Sequence, residues 1–481
     1  MIDVAIIGGG VIGAAIARQL SRYRLSLVLI EKDTDVGGGA SKANTGIIHV
    51  GYDPLPGSLK ARLNVEGSSL MEMVAAELDV PFRRIGSLAV ATDPSQLPAL
   101  EELLERGRCN GVPGLSIVSG EALRGLEPRL TTRALAALYA PSTGVICPHR
   151  LTIALVENSA ANGVSFRLGE EVISLMRRNG AWEVGTPKGK LRAQWVVNCA
   201  GVHSDEVAAL SGAAAFQVRA RKGQYLILDR PQQALVSRVI FPVPSAVSKG
   251  VLITPTFDGT VLLGPTAEEV PDKGDVSTTA AGLDTVWAET AQLIPDLDRR
   301  DIIGAFAGLR AAGSTGDFII EAPCQAPGLV NVAGIDSPGL TASPAIASYV
   351  AELLAEGGLK LQARRDYHPE RKGIGRFASL SPQAQDRLIA ADPRYGRIIC
   401  RCETVTEGEI VESIHRPLGA RTIDAVRRRT RAGMGRCQSA SCHIKIAFIL
   451  ARELGASPLD ILGREYEVFS SVGGERRDGQ L

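Results

Sequence analysis

The sequence predicts an α/β fold with a small, separate helical domain at its C-terminal end. Three observations lead to this prediction. A glycine-rich turn lies between two apolar runs at the N-terminus, and two tight cysteine pairs lie beyond residue 393. The chain of 481 residues also exceeds the ~100–200 residues that are usual for one domain. We therefore expect several domains.

Composition and charge exclude several classes of protein. The net charge is +1, and neither end carries the acidic or basic tail that would indicate a nucleic-acid partner. With 52 glycines and 45% hydrophobic residues, the chain fits a turn-rich α/β enzyme better than a disordered or fibrous protein. We expect no nucleic-acid partner.

The chain also lacks recognisable targeting or membrane segments. An apolar strand begins within two residues of Met1, without the charged region or cleavage site of a secretory signal. No run reaches the ~18 apolar residues that usually span a membrane. These features predict a cytoplasmic protein without an integral membrane segment, with peripheral association at the inner membrane through a partner subunit as an alternative. In a reducing compartment, the eight cysteines are expected to be ligands or buried thiols.

The first 33 residues predict the strand, helix and second strand of a Rossmann-like dinucleotide fold. Gly8, Gly10 and Gly13 form the GxGxxG pattern between the first strand and the helix, and Glu31 ends the second strand. Gly8 allows the tight turn, and Gly10 lets a pyrophosphate approach the helix N-terminus. Gly13 permits close packing, while Glu31 can accept a hydrogen bond from a ribose hydroxyl.

The region after this unit indicates whether the cofactor is FAD or NAD. The stretch ASKANTGIIHVGYD, followed by PGSLKARL, is rich in small and polar residues where a nicotinamide domain would continue with a helix and strand. It resembles the flavin-contacting segment of the D-amino-acid-oxidase-like superfamily of FAD-dependent oxidoreductases. Within that superfamily it is most similar to the glycerol-3-phosphate dehydrogenase and L-2-hydroxyglutarate oxidase branches.

Further matches to this superfamily follow in the expected order. WVVNCAGVHSDEVAALSG at 195–212 resembles the strand and turn that return to the FAD, and KGQYLILD at 222–229 resembles the start of the substrate-domain sheet. GLRAAGSTGDFII at 308–320 and VAGIDSPGLTASPAIASYVAELL at 332–354 resemble the last substrate strand and the final flavin-binding turn and helix. The resemblance covers residues 1–360.

The resemblance implies an FAD-binding domain that is interleaved with an α+β, mixed-sheet substrate domain. FAD-binding segments are expected at about 1–80, 145–215 and 325–360, and substrate-domain segments at about 81–144 and 216–324. A linker at 361–392 leads to a [2Fe-2S] domain at 393–470, and a flexible tail occupies 471–481. The positions that the resemblance implies as FAD contacts, besides the glycines and Glu31 above, are Lys32, Ser41, Asn44, Thr45, Gly46, Val172, Ala200, Gly201, Gly339, Leu340 and Thr341.

The C-terminal cysteines offer a route for electrons out of the flavin domain. No second GxGxxG stands between two strands after residue 40, so a separate nicotinamide domain is not expected. Cys400 and Cys402 form a C-x-C pair, and Cys437 and Cys442 form a C-x4-C pair. Four thiolates from two loops can hold an iron–sulfur cluster or zinc, although C-x-C is tight for zinc knuckles.

Their sequence context resembles the bacterioferritin-associated-ferredoxin-like [2Fe-2S] domain. CRCETVTEGEI, TIDAVRRRTRAGMGRC and the closing C-x4-C carry this resemblance, which implies that all four cysteines are cluster ligands. Family members often have Gly-Gly or Gly-Phe in the last loop, whereas this chain has Ser439, Ala440 and Ser441. The segments TEGEIVESI at 406–414 and TIDAVRRRTRAG at 422–433 are expected to be short helices. Cys109, Cys147, Cys199 and Cys324 lack ligand spacing and are expected to be buried thiols.

Six arginines lie between Arg421 and Arg436. They predict either a solvated basic helix face, or a positive surface that offsets the cluster charge or contacts an acidic electron partner.

Flavin-dependent oxidation needs an anchor for the substrate and a base for its O–H or N–H proton. Arg310 resembles the family arginine that binds a substrate carboxylate or phosphate through its planar guanidinium. His49 is the candidate base or polar flavin contact, with a buried structural histidine as the alternative. Lys249 precedes a strand that is expected to line the substrate cavity, although an exposed lysine is the alternative there.

These features predict an FAD-dependent dehydrogenase for a small anionic hydroxy substrate. The resemblance implies glycerol 3-phosphate oxidation, with electrons passing through FAD and a [2Fe-2S] cluster to a partner subunit or quinone-linked acceptor. A 2-hydroxy-acid or amino-acid dehydrogenase is the alternative within the enzymes. An electron-transfer or redox-sensing subunit without its own small substrate is the alternative of another class.

Overall fold

The chain folds into two compact units. The computed structural model describes residues 1–213, 215–244 and 250–463. The first unit comprises Met1–Lys273 and Thr278–Lys372, and the second comprises Gly274–Ser277 and the chain from Gly373 onward. The residue at which the first unit ends lies inside the linker that the sequence predicts. The other predicted domain boundaries stay predictions.

The strands of the described residues are, in chain order, β1 (Ile2–Ile7), β2 (Leu27–Glu31), β3 (Ile47–Ile48), β4 (Phe82–Arg84), β5 (Ser87–Ala91), β6 (Ser116–Ser119), β7 (Ala136–Ala140), β8 (Gly144–Ile146), β9 (Ser165–Leu168), β10 (Ser174–Arg178), β11 (Ala181–Thr186), β12 (Gly189–Asn198), β13 (Val218–Leu228), β14 (Val239–Pro242), β15 (Leu252–Pro255), β16 (Val261–Gly264), β17 (Glu268–Val270), β18 (Ile302–Gly313), β19 (Ile319–Glu321), β20 (Leu329–Ala333), β21 (Ile398–Cys400) and β22 (Val405–Thr406).

The helices are α1 (Val11–Leu20), α2 (Leu59–Glu77), α3 (Leu97–Cys109), α4 (Gly120–Leu126), α5 (Pro148–Ala161), α6 (Ser204–Leu210), α7 (Ala280–Leu293), α8 (Gly339–Glu356), α9 (Pro382–Ala391), α10 (Glu407–His415), α11 (Ile423–Thr430) and α12 (His443–Leu454). In the part of the chain that the structure describes, none of these helices combines the length and apolar character that crossing a bilayer requires.

The first sheet carries the predicted dinucleotide fold. Its strands run in the order β10-β11-β12-β1-β2-β9, and β20 joins at β12 with β19 beside it. Strands β12, β1, β2 and β9 are parallel neighbours. All four residues from Val4 to Ile7 are buried, as expected for a parallel strand covered on both faces. The Rossmann-like fold class predicted from the sequence is confirmed.

The second sheet is mixed and contains the strands of the predicted substrate domain. It has the order β17-β13-β16-β15-β14-β5-β7-β6, with β18 paired to β13. The long antiparallel pair of β13 and β18 places Arg221 opposite Arg310 and Gly223 opposite Gly308. Antiparallel partners that lie opposite each other share one face of a sheet, so these four residues lie on the same side.

Helix α8 begins earlier than its spacing in the sequence predicts. The pattern indicates a tight turn at 338–341 and a helix from Ala345, whereas the helix already begins at Gly339. Pro344 lies inside the helix and cannot donate a backbone hydrogen bond to the carbonyl of Leu340. The hydroxyl of Ser343 donates to that carbonyl at 2.9 Å, so the first turns stay helical.

The second unit is a small helical fold with a two-stranded sheet. Helices α10, α11 and α12 pack around a core that includes Ile410, Val426 and Ile446, all fully buried. Thr406 caps α10 through a reciprocal pair of hydrogen bonds with Glu409, which explains why the helix begins at Glu407. The two short helices expected from the sequence are confirmed here.

Candidate active site and metal centre

The turn between β1 and α1 forms an open cradle at a helix N-terminus. Gly8 has a φ of +106°, and a Cβ atom there would lie 2.4 Å from the carbonyl oxygen of Cys199. A Cβ atom at Gly13 would lie 2.0 Å from the carbonyl oxygen of Gly8. Gly10 caps α1 without any side-chain hydrogen bond. A helix N-terminus that follows a turn of closely packed glycines, without a side-chain cap from Gly10, fits the pyrophosphate of FAD.

Glu31 lies at the edge of this cradle, where β2 ends. Its carboxylate accepts the backbone N–H of Gly9 at 2.5 Å and that of Asp33 at 2.9 Å. Burial raises the pKa of the Glu31 carboxyl group, whereas these two hydrogen bonds act to lower it. A carboxylate held in this way beside the glycine turn can accept a ribose hydroxyl.

Replacing Glu31 by glutamine is expected to weaken FAD binding by about 10- to 100-fold, because hydrogen bonds to charged groups contribute about 1.5–3 kcal/mol. The glutamine amide also points an N–H group at one of the two backbone donors. Fluorescence titration of the cofactor-free protein with FAD measures the change. The Glu183→Gln variant, in which the lost carboxylate pairs with Lys190 on β12, is the control. Equal affinities in both variants would contradict the role of Glu31.

The pH dependence of protein stability is an independent test of the Glu31 side chain. A raised pKa means that the folded chain holds the proton more tightly than the unfolded chain does. The cofactor-free protein should therefore lose stability as the pH rises from the ordinary value of 4.5 through the raised pKa of Glu31. Glu31→Gln is expected to flatten that part of the curve in urea unfolding experiments.

The predicted flavin segment at 41–46 folds back onto the cradle. Ser41 accepts the backbone N–H of Val11 at 2.8 Å, and Asn44 accepts that of Gly46 at 2.9 Å. A Cβ atom at Gly46 would lie 2.2 Å from the carbonyl oxygen of Ile146. Thr45 is half-buried between Asn44 and Gly46. The segment therefore owes its shape to local hydrogen bonds and one close backbone approach.

The remaining predicted FAD contacts lie on neighbouring segments. Ala200 and Gly201 follow β12, and Gly201 is exposed with a φ of +60°. Lys32 is exposed directly after β2. Val172 is buried in the core cluster against which Ala200 packs. The structure thus brings Ala200, Gly201 and Lys32 to the carboxyl ends of β12 and β2, whereas Val172 lies in the core under that edge.

The start of α8 meets His49. Gly339, Leu340 and Thr341 form its first turn, and Pro338 supplies no side-chain cap. The hydroxyl of Thr341 accepts the backbone N–H of His49 at 2.9 Å. This uncapped N-terminus fits the electron-rich edge of a reduced flavin.

Ser337 is a contact of His49 that the sequence analysis missed. Its hydroxyl lies 3.5 Å from Nε2 of the His49 ring. The two residues are far apart in the chain, and a serine before a proline carries no signal in the sequence that would link it to a histidine.

Arg310 lies on β18, on the face that meets the flavin segment. A Cβ atom at Gly308 would lie 2.4 Å from the carbonyl oxygen of Ala43, and residues two apart on a strand share a face. The guanidinium donates to the carbonyl oxygens of Thr266 at 2.6 Å and Lys222 at 3.3 Å. Burial lowers the pKa of Arg310, although an arginine stays charged. These hydrogen bonds hold the positive charge of Arg310 on this face of the sheet.

Lys249, the third predicted catalytic residue, lies outside the described residues. Asn64, which sequence reasoning also missed, is completely buried in α2. It lines a cavity together with His49.

The four predicted ligands of the second unit lie together. The sulfur of Cys402 is 3.8 Å from that of Cys400 and 3.5 Å from that of Cys437. Cys442, at the start of α12, hydrogen-bonds to Cys400, which raises the pKa of Cys400 and lowers that of Cys442. Burial and these neighbours raise the pKa of Cys402 to about 11. Four thiols held this close together fit a cationic metal centre, which would bind them as thiolates.

Backbone geometry keeps room for such a centre. The N–H of Gly433 donates to the sulfur of Cys400 at 3.4 Å. A Cβ atom at Gly435 would lie 2.8 Å from the sulfur of Cys402, so only glycine leaves this sulfur unobstructed. Hydrogen bonds to ligand sulfurs are among the interactions that tune iron–sulfur clusters.

The arginine-rich segment is largely buried, so its interpretation as a solvated basic face is wrong for Arg428, Arg429 and Arg431. Arg431 forms a salt bridge of 3.0 Å with Glu403, the residue that follows the ligand Cys402. Arg429 donates to the carbonyl of Leu418 at 2.8 Å. Arg429 and Arg431 hold the loops that carry the cysteine ligands together. The helix periodicity of the sequence does not reveal this role.

Ser439 has a φ of +74°, a left-handed conformation that costs a non-glycine residue about 1–2 kcal/mol. Replacing it by glycine is expected to raise the free energy of unfolding of the second unit by about 1 kcal/mol. Denaturation followed by the visible absorption of the cluster measures this. Ala440→Gly is the matched control, because Ala440 lacks a positive φ, and this variant should be destabilised. A loss of stability in Ser439→Gly would contradict the prediction.

Two of the four remaining cysteines differ from expectation. Cys147 and Cys199 are buried as predicted, whereas Cys109 and Cys324 are exposed.

Family models match both units of the chain. The model "FAD dependent oxidoreductase" matches residues 3–353. The model "BFD-like [2Fe-2S] binding domain" matches residues 398–452, which contain all four clustered cysteines.

Several individual proteins are similar to this chain. A glycerol 3-phosphate dehydrogenase from Caloramator mitchellensis is 45% identical over 96% of this chain and 96% of its own. The L-2-hydroxyglutarate dehydrogenase of Caenorhabditis elegans is 30% identical over 72% of this chain and 92% of its own. The FAD-bound, dithionite-reduced L-alpha-glycerophosphate oxidase of Mycoplasma pneumoniae matches with a TM-score of 0.74 and 31% identity, covering 77% of this chain and 98% of that one.

Proposed function

This chain belongs to the FAD dependent oxidoreductase family and ends in a BFD-like [2Fe-2S] binding domain, and on that basis we propose that it is a glycerol-3-phosphate dehydrogenase. The reaction we propose is the oxidation of glycerol 3-phosphate to dihydroxyacetone phosphate. FAD bound in the first unit would accept the electrons, and a [2Fe-2S] cluster held by Cys400, Cys402, Cys437 and Cys442 would carry them to an acceptor outside the chain.

Arg310 is the observation that carries this proposal. Its half-buried guanidinium lies on the strand face that approaches the flavin segment, and backbone carbonyls fix its direction. Nε and Nη2 donate to backbone carbonyls, so a phosphate would bind through the donors of Nη1, in a charge-assisted hydrogen bond. The phosphate of the substrate binds there, which leaves the carbinol end toward His49.

His49 accepts the proton of the carbinol hydroxyl. Bound FAD supplies the hydride acceptor for the carbinol carbon. Removal of a hydride from carbon and of a proton from oxygen converts the secondary alcohol into a ketone, so atoms and electrons balance. Ser337, at 3.5 Å from Nε2, orients the His49 ring for this step.

The acceptor that we propose is a redox protein that docks beside the cysteines. Cys437 is exposed, and on α12 the large apolar side chains of Ile444 and Phe448 are 53% and 58% exposed. Arg401, in the turn after β21, and Lys445, on α12, are also exposed. An apolar centre with a basic rim suits an acidic protein partner. Through such a partner the enzyme can associate with a membrane without a spanning helix.

Anaerobic titration tests the proposal. Glycerol 3-phosphate is expected to bleach the flavin absorption, and the electron paramagnetic resonance signal of a reduced [2Fe-2S] cluster should appear in the same titration. Bleaching without the cluster signal would reject the electron route but keep the substrate.

Relatives that act on L-2-hydroxyglutarate favour one alternative substrate. L-2-hydroxyglutarate and a set of amino acids are therefore titrated alongside. Faster bleaching by one of these would replace glycerol 3-phosphate. Absence of bleaching by every substrate would favour an electron-transfer or redox-sensing subunit.

A further inference from the structure

The cavity beside His49 contains a polar side chain that has no hydrogen-bond partner among the residues that the structure describes. Asn64 has an exposed fraction of 0%, and within that part of the chain neither its amide nitrogen nor its carbonyl oxygen is hydrogen-bonded. Buried amides in native proteins are nearly always hydrogen-bonded, because leaving them unsatisfied is destabilising. A group that is not part of the chain is therefore expected to bind to Asn64.

The cavity has room for one small polar group, and its walls are fixed. It is lined by Asn64, His49, Asp53, Phe241 and Pro338 among others, and the space between them holds about one group of the size of a water molecule or a hydroxyl. Access to the amide depends on Gly51, whose φ is +109°, because a Cβ atom there would lie 3.0 Å from Nδ2 of Asn64.

Helix α3 and the turn after it hold the wall of the cavity in place. The Asn110 amide donates to the carbonyl oxygens of Gly51 at 2.8 Å and Pro54 at 2.9 Å. Arg106 donates to the carbonyl oxygen of Asp53 at 2.9 Å. Anchored backbone on this wall means that the cavity is formed before a ligand enters.

The lining selects a neutral hydroxyl over an anion. An asparagine amide offers one donor group and one acceptor, which match the acceptor and donor of a hydroxyl. No lysine or arginine lies among the lining residues that the structure describes, and Asp53 places a carboxylate there. Among the described lining residues, a bound carboxylate or phosphate would meet Asp53 and no lysine or arginine.

We propose that this cavity binds the terminal hydroxyl of a polyol phosphate, and that Asn64 selects it. The proposal rests on the proposed function, in which Arg310 binds the phosphate and His49 accepts the proton of the central hydroxyl. A 2-hydroxy acid carries a carboxylate on the carbinol carbon in place of the hydroxymethyl group. The cavity therefore favours glycerol 3-phosphate over L-2-hydroxyglutarate.

A substrate that lacks only this hydroxyl provides the test. Flavin reduction by glycerol 3-phosphate is compared with reduction by 1,2-propanediol 1-phosphate, in the parent protein and in Asn64→Leu. We expect Asn64→Leu to lower kcat/KM for glycerol 3-phosphate by about 10- to 100-fold, the usual effect of losing a hydrogen bond to a buried polar group. The value for the deoxy substrate should stay within about threefold, since that substrate makes no such bond.

The controls separate specificity from folding. FAD content and thermal stability of Asn64→Leu are measured first, and Asn64→Ser, which keeps a hydroxyl, serves if the leucine variant does not fold. Equal losses on both substrates, unchanged kinetics or loss of FAD would each overturn the assignment of Asn64. Failure of both phosphates to reduce the parent flavin would instead reject the proposed function, and this proposal with it.

Discussion

Replacing Cys442 by serine is expected to remove the iron–sulfur cluster and to leave the flavin in place. Cys442, at the start of α12, is only 1% exposed and contacts Cys400. A serine there leaves three thiolates around the metal. Metal binding energy is folding energy in such small domains, so the second unit should also lose stability. Iron and acid-labile sulfide should fall to background, and the signal of the dithionite-reduced cluster should disappear.

The flavin half-reaction separates this effect from general damage. Reduction of the flavin by glycerol 3-phosphate should stay within about twofold of the parent rate, because the FAD contacts predicted from the sequence all lie in the first unit. Cys324→Ser is the matched control, because Cys324 is exposed and lies in the first unit. Full iron and sulfide content in Cys442→Ser, or stoichiometric zinc in the parent, would contradict the ligand assignment.

Replacing Arg310 by methionine is expected to raise the concentration of glycerol 3-phosphate needed for flavin reduction by about 10- to 100-fold, which corresponds to the 1.5–3 kcal/mol of a charged hydrogen bond. Methionine keeps most of the side-chain length but removes the cation and its donors. Arg310→Lys should recover only part of the loss, because an ammonium group lacks the planar fork. Stopped-flow measurement of flavin bleaching against substrate concentration gives these values.

A structural role of Arg310 would produce a different pattern. Its donors bond to the carbonyls of Thr266 and Lys222, so the thermal stability and FAD content of the variant are measured as well. Arg219→Met is the control, since Arg219 lies on β13 and pairs with Glu269 at the surface. An unchanged substrate dependence in Arg310→Met would reject the anchor, whatever the stability.

Local patterns made much of this fold predictable. The strand, glycine turn and helix at the N-terminus are read from residues that are neighbours in the chain, and Glu409 follows Thr406 at the spacing of a capping box. The predicted start of α8 was wrong because Pro344 indicates a break in a helix. In the structure, the hydroxyl of Ser343 bonds to the carbonyl that Pro344 leaves without a donor.

Burial and contacts between distant residues were not predictable in this way. Arg428, Arg429 and Arg431 have the composition of a solvated helix face, yet they are buried. Arg428 pairs with Asp424 one turn earlier in α11, whereas Arg431 and Arg429 bond to Glu403 and Leu418 in other segments. A charged residue shows in its own sequence neighbourhood no sign of a partner that lies elsewhere in the chain.

The sequence by itself determined the class of fold, the FAD fingerprint and the four cysteines, because each depends on short-range spacing that the backbone must follow. Only the tertiary structure decided which side chains share a cavity. Asn64 reaches the space beside His49 because α2 packs against the segment after β3, and Arg310 faces the flavin segment through the pairing of β13 with β18. Such proximity arises from packing between distant parts of the chain, which local spacing does not encode.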